Sequence, residues 1–314
     1  MSLDLLTRGL VQALIAHALV SLALAPLVAA AWPRVTRLPL APPRLARALF
    51  ALRLLPAMAG LTAASAIGVA FALWEPRVEE EAVGVTAAGL AAIGAAMLGS
   101  GLWRGVRAWG ASRRAERLLT AAARGTLPNG ALPTLLIETT YPVVAVLGLT
   151  RARLVVARTV AEGCTADELR AVLAHELAHA GARDNLRRLA LLAAPDALAW
   201  TPAESERRAD WAAAAELAAD DAAAADGGRL HLASALVKVA RLATAPHAVI
   251  PASALFRGEP ITSRVRRLLD PPTVAASPAP IATAVRIAAL ALFATSPLWL
   301  HSAYLVVESL LALP

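Results

Sequence analysis

His175-Glu176-Leu177-Ala178-His179 sets two imidazoles four residues apart with a carboxylate between them. On a helix, residues four apart lie one above the other on one face. Two such nitrogens can point at one ion. With a third protein ligand they make an open zinc site that keeps a position for water. The carboxylate beside them suits proton removal from that water. Metal-assisted hydrolysis is therefore the expected chemistry, with His175 and His179 as ligands and Glu176 as base.

A helix is expected around the motif. Thr165-Ala166-Asp167-Glu168 is a capping box. Leu169, Val172, Leu173 and Leu177 continue it as an apolar stripe at helical spacing. The end is expected near Gly181.

Two candidates for the third ligand lie on an expected helix over 203–225, Glu206 and Glu216. Each has an aspartate four residues on, Asp210 and Asp220. An aspartate there could hold a ligand His by its other ring nitrogen; beside Glu216 that residue is Asp220. Glu216 sits among Ala and Leu, so its face can be buried. Glu206 sits among Arg and Ser and looks solvated. The surroundings favour Glu216 and leave Glu206 as the alternative. His231 and Tyr141 are candidate oxyanion donors, each with packing as the plainer expectation. The single cysteine, Cys164, excludes an internal disulfide and reads as a small packing residue.

The chain that must position these groups is 58% hydrophobic and 17% charged over 314 residues, too apolar for an ordinary soluble protein. Residues 9–31, 54–74 and 82–103 carry no charge, and each run is long enough to cross a bilayer. A fourth apolar run, 287–307, lies near the C-terminus and contains Pro297. Connector 32–53 and the stretch from Arg104 to Arg124 are basic; the turn 75–81 is acidic. The positive-inside rule then puts the N-terminus outside, the basic segments in the cytoplasm and the C-terminus outside. Trp32, Trp74, Trp103 and Trp299 fall near span ends, where aromatic belts form. The net charge of +7 sits beside apolar runs, so it fits membrane anchoring and not nucleic-acid binding. His17 lies inside the first run and reads as a packing residue.

Between the third and fourth runs lies an insert of one-domain size, residues 105–280. Its expected elements are an Arg-rich amphipathic helix over 110–123, a turn at 128–130, and short strands at 134–140, 143–146 and 153–157. After the motif helix come an apolar helix over 186–199 that Pro195 should kink or end, the helix over 203–225, and another over 229–243. An exposed edge strand of the small sheet could hold an extended peptide by strand addition.

Taken together, these features resemble the BlaR/MecR-like membrane zinc metalloproteases, gluzincin-type sensor-transducers. The residues that carry the resemblance are Leu169 to His179, then Arg183-Asp184-Asn185, Val146-Leu147-Gly148, and Glu216 to Asp220. The resemblance implies His175, His179 and Glu216 as zinc ligands and Glu176 as base. It also implies a cytoplasmic or membrane-proximal protein substrate, such as a transcriptional repressor or the protease itself. The chain departs from the family in Trp200-Thr201-Pro202, one residue shorter than the usual element, and lacks the extracellular penicillin-binding sensor domain.

The expected protein is thus a mainly α integral membrane protein. It has three transmembrane helices in 1–104, a cytoplasmic α+β gluzincin-like zinc metalloprotease domain in 105–280, and a fourth transmembrane helix in 281–314. It would be a multi-pass zinc endopeptidase of a bacterial inner membrane, with the lipid bilayer and a protein substrate as partners. Two alternatives stand beside it: a quality-control or processing metalloprotease with Glu206 as ligand, and a non-catalytic membrane signalling scaffold.

Overall fold

A computed structural model describes residues 3–74, 83–127, 131–139, 141–225, 227–243, 261–271, 302–307 and 309. Three long helices come first, α1 (Leu3–Thr36), α2 (Pro42–Trp74) and α3 (Val85–Ala121). All three are long and apolar enough to cross a membrane. They also overrun the expected spans. The basic stretch 32–53 is mostly helix, with a connector of only 37–41. Charge marks where a chain leaves the bilayer, but Arg and Ala are good helix formers and do not end a helix. Pro42 and Pro43 sit in the first turn, where the missing N–H costs nothing. Likewise α3 continues through Arg104 to Ala121 and absorbs the separate amphipathic helix expected over 110–123. Arg107 lies over the Trp103 ring at 4.7 Å on the same helix.

At about 1.5 Å per residue, helices of this length reach about 50 Å, against a hydrocarbon core of about 30 Å. The surplus grips the following domain. Gly94 lets α3 meet α1 closely; a Cβ there would stand 2.3 Å from the Leu14 carbonyl oxygen. Of the fourth expected span, residues 302–307 are described and helical, and Tyr304 and Val307 pack with Ile15, Ile67 and Phe71. The rest of that run, the acidic turn 75–81 and the turn at 128–130 lie outside the described residues.

A four-stranded sheet follows, from β1 (Ala123–Leu127), β2 (Thr134–Ile137), β3 (Val144–Leu147) and β4 (Arg153–Ala157). Its order is β1-β2-β4-β3, with β2 and β4 parallel and the outer pairs antiparallel. β1 was not among the expected strands; Arg124, Gly125 and Thr126 are exposed and give no apolar alternation. β2 ends at Ile137, shorter than the expected 134–140.

Short α4 (Arg158–Gly163) leads to α5 (Ala166–Ala182), α6 (Asp184–Ala193), a 3-10 turn (Ala197–Trp200), α7 (Glu204–Ala224), α8 (Arg229–Ala243) and α9 (Ile261–Leu269). The apolar helix expected over 186–199 ends at Ala193, two residues before Pro195, as X-Pro geometry requires. Ala171 and Val172 of α5 pack with Ala223 of α7, Leu232 and Ala235 of α8, and Leu268 of α9. That core joins the four helices that carry the site.

Candidate metal centre

The capping box forms as the sequence predicts. The Thr165 hydroxyl accepts from the Glu168 N–H, and Glu168 accepts from the Thr165 N–H at 2.7 Å. Glu168 also accepts from Ser234 at 2.6 Å and Lys238 at 2.7 Å, both on α8. These donors hold its carboxyl down at about pH 2. The start of the motif helix is thereby pinned to its neighbour.

On α5, His175 Nε2 and His179 Nε2 stand 3.2 Å apart. Glu216 on α7 presents one oxygen 3.5 Å from His175 Nε2 and the other 3.6 Å from His179 Nε2. Four-coordinate zinc with bonds of about 2.0–2.1 Å would separate its ligand atoms by about 3.3 Å. The three donors already stand at that spacing.

The far side of each imidazole decides where its lone pair points. His179 Nδ1 hydrogen-bonds Asp184 at 2.8 Å, and His175 Nδ1 lies 3.0 Å from Asp220. A carboxylate beside Nδ1 favours the proton there and leaves Nε2 as acceptor. Two Nε2 atoms facing each other at 3.2 Å need a cation between them, a proton or a metal ion. The donor set therefore fits zinc, and among the described residues His175, His179 and Glu216 form one group able to hold a metal ion.

The electrostatics agree with a preformed cation site. Burial opposes charge on His179, yet Asp184 and Glu216 outweigh it and lift its pKa to about 10. His175 is raised too, against burial, by Asp220 and Glu216. Burial alone would raise Glu216; its histidine neighbours and Arg264 hold it well below the usual carboxylate range. Glu176 moves the other way, pushed up chiefly by burial. The surroundings thus drive these two glutamates apart.

Glu206 is exposed on α7 and stands outside this group. Its later aspartate, Asp210, accepts from the Trp32 indole on α1 at 2.8 Å. His231 is exposed, and Tyr141 is buried with Val143 and Ala145. Cys164 is half-buried against the α5–α8 core.

Sequence reasoning assigned no role to three site neighbours, although it singled out Asp184 and Asn185. Asp184 could have been given one: it is the first acid after the second histidine. It reaches back because Arg183 adopts the left-handed conformation, φ 55°, and turns the chain sharply between α5 and α6. Asn185 next to it donates to the Val146 and Gly148 carbonyls at 2.9 and 3.1 Å. It tethers the edge strand β3 to the motif, beside a cavity of about 250 Å³ bordered by His179, Leu149 and Leu186. Arg264 of α9 is buried against Asp220 and Glu216; no sequence signal links it to them.

The sequence model of Peptidase family M48 matches residues 144–212. That stretch runs from β3 through the motif helix into α7. It contains His175, Glu176, His179 and Glu206, and stops before Glu216. No curated protein matches the chain. The match supports a metallopeptidase of the membrane-type zinc class, following three helices of membrane-spanning length. It does not point to the BlaR/MecR-like group in particular.

Proposed function

We propose that this protein is a multi-pass membrane zinc endopeptidase, with His175, His179 and Glu216 as metal ligands and Glu176 as general base. The observation that carries this reading is the convergence of two imidazole nitrogens and one carboxylate at zinc-ligand spacing. Behind the imidazoles, Asp184 hydrogen-bonds His179, and Asp220 lies 3.0 Å from His175 Nδ1.

Zinc, when bound, would polarise a water and the scissile carbonyl. Glu176 accepts the water proton and returns it to the departing amine. Its raised pKa suits both directions of that transfer. Just before β3, the Val143 carbonyl accepts from the Ala157 N–H of β4, so the N–H and C=O of Val144 and Val146 face outward. Asn185 occupies the Val146 carbonyl; among the described residues the remaining outward groups have no partner and can pair with an extended substrate.

The charge asymmetry of the sequence supports a cytoplasmic catalytic domain with both termini outside, and the resemblance to the BlaR/MecR-like group supports a bacterial inner membrane. The substrate is then a cytoplasmic or membrane-proximal protein. By resemblance to the BlaR/MecR-like group, it is a repressor in a signalling circuit or the protease itself. A second reading keeps the protease and changes its task to membrane quality control or processing, with Glu206 as ligand. The extent of the M48 match favours it, because that match includes Glu206 and ends before Glu216. The exposure of Glu206 speaks against the ligand assignment.

Zinc stoichiometry separates these readings. The expected result is one zinc per chain, kept in Glu206→Ala and Glu176→Gln and lost in Glu216→Ala. Glu176→Gln should also lose cleavage of a casein or peptide-library substrate. Loss of zinc in Glu206→Ala alone would move the ligand to Glu206. Zinc bound without any cleavage would leave a scaffold.

A further inference from the structure

Arg264 enters the metal centre from α9, the only helix of the site cluster that the sequence did not announce. Its guanidinium makes two contacts with Asp220, Nε to Oδ2 at 2.8 Å and the far nitrogen to Oδ1 at 2.6 Å. Its remaining nitrogen lies 3.0 Å from the Glu216 oxygen that faces His175. The Asp220 oxygen at 2.6 Å is the same one that faces His175 Nδ1. One planar fork therefore touches a ligand directly and, through Asp220, backs a second ligand. We infer that Arg264 is a positioning residue that fixes Glu216 and His175 together in zinc-binding geometry. This rests on the ligand set proposed above.

Two plainer roles predict different behaviour. The first is docking of α9 on α7 alone. But α9 already has such a tie: Arg267 pairs with Asp221 at 2.6 and 3.0 Å, three residues on along α9 and one along α7. The second is supply of positive charge among carboxylates. A charge alone needs no fork; lysine would serve. The observed contacts use all three guanidinium nitrogens in fixed directions, which an ammonium cannot reproduce. Arg264 also carries a cost. A cation beside the site opposes zinc by Coulomb repulsion, so it is useful only if alignment outweighs repulsion.

The test is zinc affinity of the purified full chain by chelator competition, with wild type, Arg264→Lys, Arg264→Gln and Arg267→Gln. The visible spectrum of the cobalt-loaded protein reports ligand geometry, and thermal unfolding without metal reports docking of α9. The expected result is zinc affinity about 10–100-fold weaker in both Arg264 variants, the range usual for groups that orient metal ligands. Their cobalt spectra should change. Arg267→Gln should lower the metal-free melting temperature and leave affinity and spectrum as in wild type. Wild-type affinity in Arg264→Lys would reduce the role to charge and overturn the inference. Equal weakening in Arg267→Gln would reduce it to docking, and tighter binding in Arg264→Gln would make Arg264 an obstacle to metal. Failure of wild type to bind zinc would instead overturn the proposed function, and this inference with it.

Discussion

The two ends of α7 carry the same chemistry to different ends. At its start, Arg53 of α2 is fully buried between Asp196 and Glu204, each at 2.7 Å. Three turns later, Arg264 of α9 is buried between Asp220 and Glu216. At this end of α7, Leu49, Leu198 and Trp211 share an apolar cluster, and among the described residues no histidine pairs with Asp196 or Glu204. Around Arg264 the carboxylates also face imidazoles whose other nitrogens converge. A buried ion pair is thus not a site in itself; lone pairs aimed at a common point make one.

The start of α7 is instead a joint. His17 of α1 hydrogen-bonds the Pro195 carbonyl at 2.8 Å, and Ser21 accepts from the Ala197 N–H. Arg104 of α3 donates to the Leu192 and Ala194 carbonyls. Gly101 allows this approach, since a Cβ there would stand 2.7 Å from the Ala193 carbonyl oxygen. The orphan carbonyls at the end of α6 are thereby satisfied by the long helices. The segment between α6 and α7 is seated among α1, α2 and α3, and the helix that leaves it bears Glu216.

The comparison breaks most visibly at Arg53. Arg53→Ala strips Asp196 of its ion pair and leaves Glu204 only the longer contacts to Arg207 and Arg208 at 3.6 and 3.8 Å; it should cost about 3–5 kcal/mol of stability, read by unfolding in detergent. Arg53→Met with Asp196→Asn and Glu204→Gln should recover much of that loss. No recovery would mean that the joint needs the charge itself. A smaller effect is expected from Asp184→Asn. It keeps the shape behind His179 but weakens its hold, so zinc affinity should fall about 10–100-fold with the fold intact. Unchanged affinity would place Asp184 with the structural pairs rather than the site.

The smallest effect tests the helix start. Glu168 has a folded pKa of about 2, below its ordinary value of 4.5. A depressed carboxyl stabilises the fold above its unfolded pKa and loses that contribution as pH falls through the folded value. Melting temperature should therefore decline from about pH 4.5 towards 2 more steeply in wild type than in Glu168→Gln. Parallel declines would show that the tie to α8 is not ionic.

The motif helix, its capping box, the histidine pair and the three apolar helices were legible in the residues themselves. Periodicity, caps and hydropathy are local, and each element satisfies its own rule without reference to a partner. Helix ends were less legible where charge and helix propensity disagree, as at Arg44 to Arg53 and beyond Arg104. What only the tertiary structure decided is who stands beside whom. Glu216 and Glu206 head the same local pattern on one helix, and burial against α5 separates them. Asp184 needed the left-handed turn at Arg183, and Arg264 needed α9 to cross α7. Such contacts join residues far apart in the chain, and no spacing rule encodes them. They depend on which faces the packed helices turn to each other.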